Sequence, residues 1–131
     1  MTTANGEFEL TGWNEDTYLE PEDGRKLTRA SVTQDFRGDI AGTGSVEWLM
    51  SYRPDGTAHF VGLQRIEGKL GKGSGSFVVE SIGDFDGKMA KGQLAVVPGS
   101  GTGDLEGIQG EGSFSAPMGS KATFTLDYKI G

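Results

Sequence analysis

Residues 96–112 read VVPGSGTGDLEGIQGEG, and this stretch decides how the chain folds. An apolar strand end leads into a glycine-rich turn, a short acidic segment and a second strand that is spaced by glycines. The six glycines between positions 99 and 112 allow positive φ angles and the close approach of a neighbouring strand. Thr102 can cap the turn that follows it, with Asp104 and Glu106 near the positive end of that turn. We therefore predict that the segment bends and closes a long β-ribbon, with at most one helical turn near residues 104–108.

The composition limits the class of protein. The chain has 131 residues, 23 glycines and no cysteine. This length predicts a single domain over residues 1–131, large enough to bury a core without a disulfide or a metal. The lack of cysteine excludes thiol catalysis and cysteine-ligated zinc, and it fits a reducing compartment.

Charge and hydropathy indicate which partners to expect. The formal net charge is −7, which repels phosphate backbones and anionic lipid, so we expect no nucleic acid and no membrane as partners. No apolar run approaches the roughly 20 residues of a membrane-spanning helix. Residues 1–6 show no signal-peptide pattern. We predict a cytoplasmic protein.

Residues 43–70 show the strongest hairpin pattern. The turn at residues 53–57 reads RPDGT, in which Pro54 suits position i+1 of a type I turn and Gly56 suits the left-handed bulge position. Such a turn pairs Arg53 with Thr57 and fixes the register behind it, whereas a simple two-residue turn would mix the two faces. The face that we assign to the interior is apolar and aromatic, and it comprises Val46, Trp48, Met50, Tyr52, Ala58, Phe60, Gln64 and Ile66.

The remaining segments alternate with period two and predict further strands. They are residues 8–13, 26–36, 77–82, 93–97, 111–115 and 122–130, with an acidic loop predicted at residues 14–24. About eight strands joined by hairpin turns indicate an all-β protein, either a closed antiparallel barrel or a sandwich. Glycines within the strands favour the barrel.

Several of these segments resemble a known family. Residues 27–33 (LTRASVT), 38–40 (GDI), 60–65 (FVGLQR), 73–78 (GSGSFV), 96–112 and 126–128 (LDY) are similar to the bacterial family called domain of unknown function 3224. Residues 101–110 are also similar to a glycine-rich element of allene oxide cyclase-like barrels. The resemblance implies an eight-stranded antiparallel barrel with a central cavity, assembled as a homo-oligomer, and it implies no activity. It also places a histidine where this chain has Ser81 and an acid where it has Gln64, so a protic pair at those positions is absent here.

The sequence offers little for metal or cofactor chemistry. His59 is the only histidine, and the hairpin register places it on the outer face. Residues 68–74, GKLGKGS, fail the spacing of a phosphate-binding loop and are interpreted as a hairpin turn. Glu47 and Arg65 are predicted to form a cross-strand ion pair at the surface. We predict no cofactor and no metal site.

The functional hypothesis depends on the inner face. The residues predicted to bind a ligand are Trp48, Met50, Phe60, Phe77, Ser81, Phe124 and Tyr128. Tyr52 and Gln64 are the predicted catalytic residues, which would polarise one group of the ligand. Alternatively, these side chains simply fill an eight-stranded barrel.

Three functions therefore stay open. The first is a pocket that binds a small apolar or polyene-like compound and steers its cyclisation or isomerisation without a cofactor. The second is a non-catalytic carrier that uses the same cavity, and the third is a structural oligomer without a ligand. A lumen too small for a ligand, or one blocked by Trp48 and Phe124, would exclude both pocket hypotheses.

Overall fold

A computed structural model of the protein describes residues 1–21, 23–118 and 121–131. Within these residues eight antiparallel strands follow each other along the chain. They are β1 (Thr2–Leu19), β2 (Lys26–Gly38), β3 (Ile40–Tyr52), β4 (Ala58–Leu70), β5 (Gly73–Phe85), β6 (Met89–Val96), β7 (Ile108–Pro117) and β8 (Ala122–Ile130), with a 3₁₀ turn at Gly103–Leu105 before β7. Each strand pairs with the next, and β8 pairs with β1, so the sheet closes into a barrel. The predicted all-β, eight-stranded antiparallel barrel is confirmed.

The hairpin between β3 and β4 has the predicted register. The Arg53 backbone N–H donates to the Thr57 carbonyl at 2.8 Å, and Gly56 has a φ of 88°. Behind this turn Tyr52 faces Ala58 and Trp48 faces Gly62, as the RPDGT sequence predicts. The aromatic face of the hairpin consequently points into the barrel.

The predicted loop at residues 14–24 is wrong for residues 14–19, because β1 continues to Leu19. Two irregularities in the pairing with β2, between Leu10 and Gly12 and between Thr17 and Leu19, let the strand bend as it extends. The pairing of β1 with β8 covers residues 2–8 alone. Residues 9–19 therefore hydrogen-bond to β2 on one side only, and the barrel wall is open beside them.

Glycines in the strands make room for large aromatic side chains. A Cβ atom at Gly62 would lie 2.2 Å from Cδ1 of Trp48, and one at Gly92 would lie 2.5 Å from Cε1 of Phe114. Likewise, a Cβ atom at Gly44 would lie 2.6 Å from the ring of Phe36, and one at Gly6 would lie 2.7 Å from the ring of Phe124. Each aromatic ring thus covers a glycine of the neighbouring strand, which lets a narrow barrel hold bulky rings.

The segment between β6 and β7 covers one end of the barrel. Leu105 in the 3₁₀ turn is buried, and Asp104 accepts a hydrogen bond from the Ser74 backbone N–H of β5 at 3.1 Å. The predicted single helical turn is confirmed. The predicted capping by Thr102 is wrong, because its hydroxyl makes no capping bond and instead accepts a hydrogen bond from the Ser76 backbone N–H at 3.0 Å. A local capping preference has been overridden by a partner on another strand.

The two ends of the barrel differ, and we name them by that difference. The sealed end carries residues 97–107 and the hairpin turn between β4 and β5. At the open mouth β1, β3, β5 and β7 end, and β2, β4, β6 and β8 begin. In the part of the chain that the structure describes, no helix is long and apolar enough to cross a membrane.

Candidate functional site

A layer of aromatic rings divides the barrel interior. The rings of Trp48 and Phe60 have centroids 5.2 Å apart, and Phe114 lies 6.0 Å from Phe60 and stacks on Trp48 at 6.4 Å. Phe8 joins the layer at 6.1 Å from Phe114. We call these four residues the aromatic floor. They lie between a small inner cavity and the space at the open mouth.

The inner cavity below the floor is too small for an organic ligand. Its volume is about 20 Å³, and its walls include Gln34, Gln64, Phe36 and Phe124. A space of roughly 10–15 Å³ is enough for one water molecule. The Gln64 side-chain amide donates a hydrogen bond to the Gln34 carbonyl oxygen, so these two buried polar groups satisfy each other.

Above the floor lies a cavity of about 900 Å³ that opens at the mouth, which we call the cup. Its base is the aromatic floor. Its wall is mostly apolar and includes Trp13, Met50, Tyr52, Phe85, Ala90 and Ala116. Trp13 packs on Trp48 with a centroid distance of 6.0 Å, so the part of β1 that lacks β8 supplies one side of the cup.

A single carboxylate, which is not itself among the residues that line the cup, accepts hydrogen bonds from two polar side chains of the wall. Glu15 accepts hydrogen bonds from the Tyr52 hydroxyl at 2.6 Å, the Thr28 hydroxyl at 2.6 Å and the Trp13 indole N–H at 3.2 Å. Lys26 places its ammonium 4.7 Å from the centroid of the Tyr52 ring. We call these five residues the Glu15 cluster.

The charge states in the cluster follow from these contacts. Burial alone would raise the pKa of Glu15, but the hydrogen bonds from Thr28, Tyr52 and Trp13, together with the charge of Lys26, lower this pKa below its ordinary value. Burial and the bond to the Glu15 carboxylate raise the pKa of Tyr52 well above its usual range. Glu15 is therefore ionised at neutral pH, while Tyr52 keeps its proton and donates a hydrogen bond to the Glu15 carboxylate.

The residues predicted from the sequence to form the site are not all together. Trp48, Met50, Tyr52 and Phe60 contribute to the cup. Gln64 and Phe124 lie below the floor, around the inner cavity. The remaining three are buried elsewhere in the barrel wall and line neither cavity, and they are Phe77, Ser81 and Tyr128.

Two buried polar atoms lack hydrogen-bond partners among the described residues. They are the indole nitrogen of Trp48 and the hydroxyl oxygen of Ser81. Trp48 and Ser81 both pair with Gly62, from opposite sides, so these groups flank the same glycine. Because position 62 is a glycine, no side chain lies between the Trp48 indole and the Ser81 hydroxyl.

Sequence reasoning missed Glu15, which accepts hydrogen bonds from Tyr52 and Trp13 of the cup wall. Its acidic surroundings predicted a loop, although Trp13 and Glu15 alternate as inward residues of a strand. Phe85, Ala90 and Ala116 were also missed, because the pattern of β5 to β7 near the mouth is short and rich in small residues. The period-two spacing of Trp13 and Glu15 was the one signal that could have found the cluster.

The outer face carries charged pairs and the single histidine. His59 is exposed, as predicted, with Nδ1 3.1 Å from an Asp84 carboxylate oxygen. The predicted pair of Glu47 with Arg65 is wrong. Glu47 binds Arg29 of β2 at 2.6 Å, and Arg65 binds Glu67 along its own strand at 3.0 Å. Among the residues with described positions, no three histidine or carboxylate side chains are grouped so as to hold a metal ion.

Comparisons with known proteins agree with the fold. Residues 4–128 match the family model described as "Protein of unknown function (DUF3224)". The chain is similar to the crystal structure of a protein with unknown function from the DUF3224 family of Shewanella oneidensis MR-1. The two share 25% sequence identity and a TM-score of 0.81 over 100% of this chain and 98% of that one. No curated protein matches the sequence. The wider resemblance to allene oxide cyclase-like barrels stays a prediction.

Proposed function

The chain belongs to the DUF3224 family, and from its geometry we propose that it binds a small apolar molecule in the cup. The observation that carries this proposal is the cup itself, a space of about 900 Å³ with apolar walls above a closed aromatic floor. Small-molecule sites in proteins are typically concave, mostly apolar and roughly 300–1,000 Å³ in volume. The inner cavity of about 20 Å³ plays no part in this proposal.

The expected affinity sets the design of the test. Each buried CH₂ group contributes about 0.8 kcal/mol, so an eight-carbon chain gains about 6 kcal/mol at most before the entropic cost of association. An eight-carbon probe should therefore bind weakly, and titrations need probe concentrations up to the millimolar range.

Tryptophan fluorescence can report occupancy directly. The chain contains two tryptophans, Trp13 and Trp48, and both line the cup. We expect octan-1-ol to change their emission in a saturable way. The blocking variant is Ala116→Phe, which fills the cup from its wall, and it should abolish the change.

The matched control for the blocking variant is Ala95→Phe. Ala95 lies on β6 but points outward and is exposed, so the same side chain is added outside the cup. Saturable binding that survives in Ala95→Phe and disappears in Ala116→Phe supports the proposal. Emission that changes only linearly with octan-1-ol, or equally in the two variants, would refute it.

A catalytic extension of this function is the cyclisation or isomerisation of a polyene-like compound by conformational steering. Tyr52 on the cup wall supports it, because its oxygen can accept a hydrogen bond from a bound molecule while its own O–H donates to Glu15. Gln64, the other predicted catalytic residue, lies below the floor. The test is the turnover of a polyene by the wild type, Tyr52→Phe and Gln64→Ala. Loss of turnover in Tyr52→Phe supports steering in the cup, and unchanged turnover in both variants excludes the proposed catalytic roles.

The expected homo-oligomer stays a prediction. Leu49, Val61 and Ile82 are paired on adjacent strands and point outward, and each is about half exposed or slightly less. Contiguous apolar residues of this kind are common at contacts between subunits. Analytical ultracentrifugation of the wild type and of Val61→Lys tests the prediction, which requires the variant to sediment as a smaller species.

A further inference from the structure

We propose that residues 9–19 of β1 form a docking site for an extended segment of another protein, which adds to the sheet as a further strand with apolar and basic side chains in alternation. We call residues 9–19 the free edge. The inference goes beyond the proposed function, because it concerns the edge of the barrel wall and not the uptake of a small molecule. Three features support it, namely the backbone, the apolar side chains and the charges of the free edge.

The first feature is the backbone of the free edge. The pairing of β1 with β8 ends at Phe8, whereas its pairing with β2 continues to Leu19. Among the residues with described positions, no other backbone group hydrogen-bonds to the free edge on the side away from β2. A row of unpaired N–H and C=O groups is the template to which an extended peptide adds as a strand.

The direction of these groups can be followed along β1. The backbone N–H of Asn5 donates to the Asp39 carboxylate at 2.8 Å, and its carbonyl accepts from the Asp39 backbone N–H at 3.0 Å, both on the β2 side. The N–H groups alternate between the two sides of a strand, and the extra residue between Leu10 and Gly12 shifts this alternation by one. Thr17 therefore directs its N–H away from β2, to the side where β8 is missing.

The second feature is that the free edge carries large apolar side chains. Leu10, Trp13, Tyr18 and Leu19 are each about half exposed. Leu10 and Trp13 also line the cup, so a strand beside them would lie along the rim of the cup and cover both. In strand addition the main-chain hydrogen bonds hold the peptide, and alternate side chains enter pockets on one face of the sheet. A partner strand with an apolar residue at every second position would direct these residues over the cup.

The third feature is the charge that an added strand would meet. Glu9 and Asp16 pair with the exposed residues Asp35 and Arg29 of β2, so they lie on the outer face of the sheet. The free edge contains no basic residue, and Glu20 follows it directly. Side chains that lie opposite each other on adjacent strands attract when their charges are opposite and destabilise the pair when they are alike. The outward positions of the partner strand should therefore be basic.

The basic residues near the free edge are mostly engaged elsewhere. Arg29 and Lys121 each bind a carboxylate outside the free edge, at 2.6 and 3.4 Å. Lys26 lies over an aromatic ring of the cup wall, and Arg37 is 3.9 Å from a carboxylate at one end of the free edge. Within the described part of the chain Asp16 has no ion-pair partner within 4 Å, which leaves its charge for a basic side chain of an added strand.

The same charges argue against a second copy of this chain as the occupant. If two free edges paired with each other, Glu9, Glu15 and Asp16 of one copy would lie along the same three carboxylates of the other. The net charge of −7 on each copy adds a longer-range repulsion. A basic segment of a different protein meets neither obstacle.

The probe is a synthetic peptide of about nine residues in which valine and lysine alternate, with blocked ends and a fluorescent label. The anisotropy of the label reports binding at neutral pH and low salt. We expect saturable binding of this peptide. A second peptide, in which glutamate replaces every lysine, should bind at least about tenfold more weakly, because its outward side chains would oppose Glu9 and Asp16.

N-methylated peptides distinguish strand addition from a general attraction between a basic peptide and an acidic protein. In an extended strand the N–H groups of the valines point to one edge and those of the lysines to the other. Methylation of either set leaves the charge unchanged. Methylation of the set that faces β1 should weaken binding at least about tenfold, whereas methylation of the set that faces solvent should change it by less than about twofold.

A pair of protein variants tests the free edge itself. Thr17→Pro removes an N–H that points away from β2, so the bonds to β2 stay in place. It should weaken binding of the lysine peptide about fivefold. Thr17→Val is the matched variant, because it changes the same side chain and keeps the N–H, and it should bind the peptide more tightly than Thr17→Pro does. If Thr17→Pro is poorly folded, the two methylated peptides test the proposal on the wild type.

The outcomes separate this inference from the proposed function. Equal binding of the two methylated peptides, or of the lysine and glutamate peptides, would overturn the inference, as would the absence of saturable peptide binding. If the protein alone sediments as a dimer that Thr17→Pro dissociates, the free edge is taken by a second copy and the proposed partner is wrong. Octan-1-ol binding reports on the cup, so it can succeed or fail independently of each of these results.

Discussion

The sealed end and the open mouth are completed by different parts of the chain. At the sealed end, residues 97–107 place Leu105 over the interior and bond to β5 through Thr102 and Asp104. At the mouth, β1 runs on beyond its last pair with β8, and residues 9–19 have a neighbour on one side only. The cup therefore lies at the end of the barrel where β1 and β8 no longer form hydrogen bonds with each other.

The side chains inside the barrel show the same contrast. Towards the sealed end the inward positions are large and fully buried, as Phe77 and Ile108 show. At the mouth Ala90 of β6 and Ala116 of β7 face each other across the strand pair and leave space above the aromatic floor. The space of the cup therefore comes both from small residues on two neighbouring strands and from the gap beside β1.

The largest expected difference between the ends concerns stability. Phe77 and Phe85 lie on the same strand, but Phe77 is 1% exposed and Phe85 is partly exposed in the cup wall. We expect Phe77→Ala to cost about 3–5 kcal/mol and Phe85→Ala about 1–2 kcal/mol of unfolding free energy, measured by urea denaturation. Equal losses would show that the mouth is packed as tightly as the sealed end.

A smaller effect is expected from the glycine beneath the aromatic floor. In Gly62→Ala the new methyl group would lie 2.2 Å from Trp48, so we expect a loss of about 1–3 kcal/mol and a shift of the tryptophan emission. The control is Gly87→Ala in the turn between β5 and β6. Its φ of 96° makes alanine unfavourable by about 1–2 kcal/mol. No atom would lie within 4 Å of the new Cβ, so the tryptophan emission should stay as in the wild type. A Gly62→Ala protein with unchanged emission would mean that Trp48 does not rest on this glycine.

The pH dependence of stability tests the Glu15 cluster. Because the pKa of Glu15 is lowered in the folded protein, its contribution to stability is complete above the ordinary pKa of a glutamate and is lost as the pH falls through the lowered value. Between about pH 6 and about pH 3 the wild type should lose more stability than Glu15→Gln. The other carboxylates are present in both proteins, so their effects cancel. Parallel curves for the two proteins would contradict the hydrogen bonds that we describe.

The smallest effect is expected on the outer face. Arg29 and Glu47 form a close ion pair at 2.6 Å, but about half or more of each side chain is exposed. Arg29→Ala should therefore change the free energy of unfolding by about 0.5 kcal/mol or less. A loss comparable to that of Phe85→Ala would indicate that this surface is buried against another molecule in solution.

Much of the fold could be predicted because the relevant signals are local. The RPDGT turn fixes the pairing of Tyr52 with Ala58, and the alternation of apolar residues behind it then assigns Trp48, Met50 and Phe60 to the interior. The second half of β1 gave no such signal. With β2 as its only partner, both of its faces remain largely exposed, and its acidic residues resemble a loop.

The site could be predicted less well because it depends on distant residues. The sequence assigns nine residues to one interior, but it does not show that the rings of Trp48, Phe60 and Phe114 meet and divide it. That division depends on side-chain volumes from the β3–β4 hairpin and from β7, which lies far from that hairpin in the chain. Similarly, the Thr102 hydroxyl accepts a hydrogen bond from Ser76 of β5 and does not cap the turn that it precedes.

The central claim is that the cup, and not the sealed end, takes up an apolar molecule. The four methionines provide a direct measurement by methyl NMR, since Met50 and Met118 line the cup whereas Met1 lies at the exposed start of the chain. On titration with octan-1-ol we predict saturable shifts of the Met50 and Met118 methyl signals and no shift of Met1. A Met50 signal that stays in place, or equal and non-saturating shifts of all four methyl groups, would contradict the account.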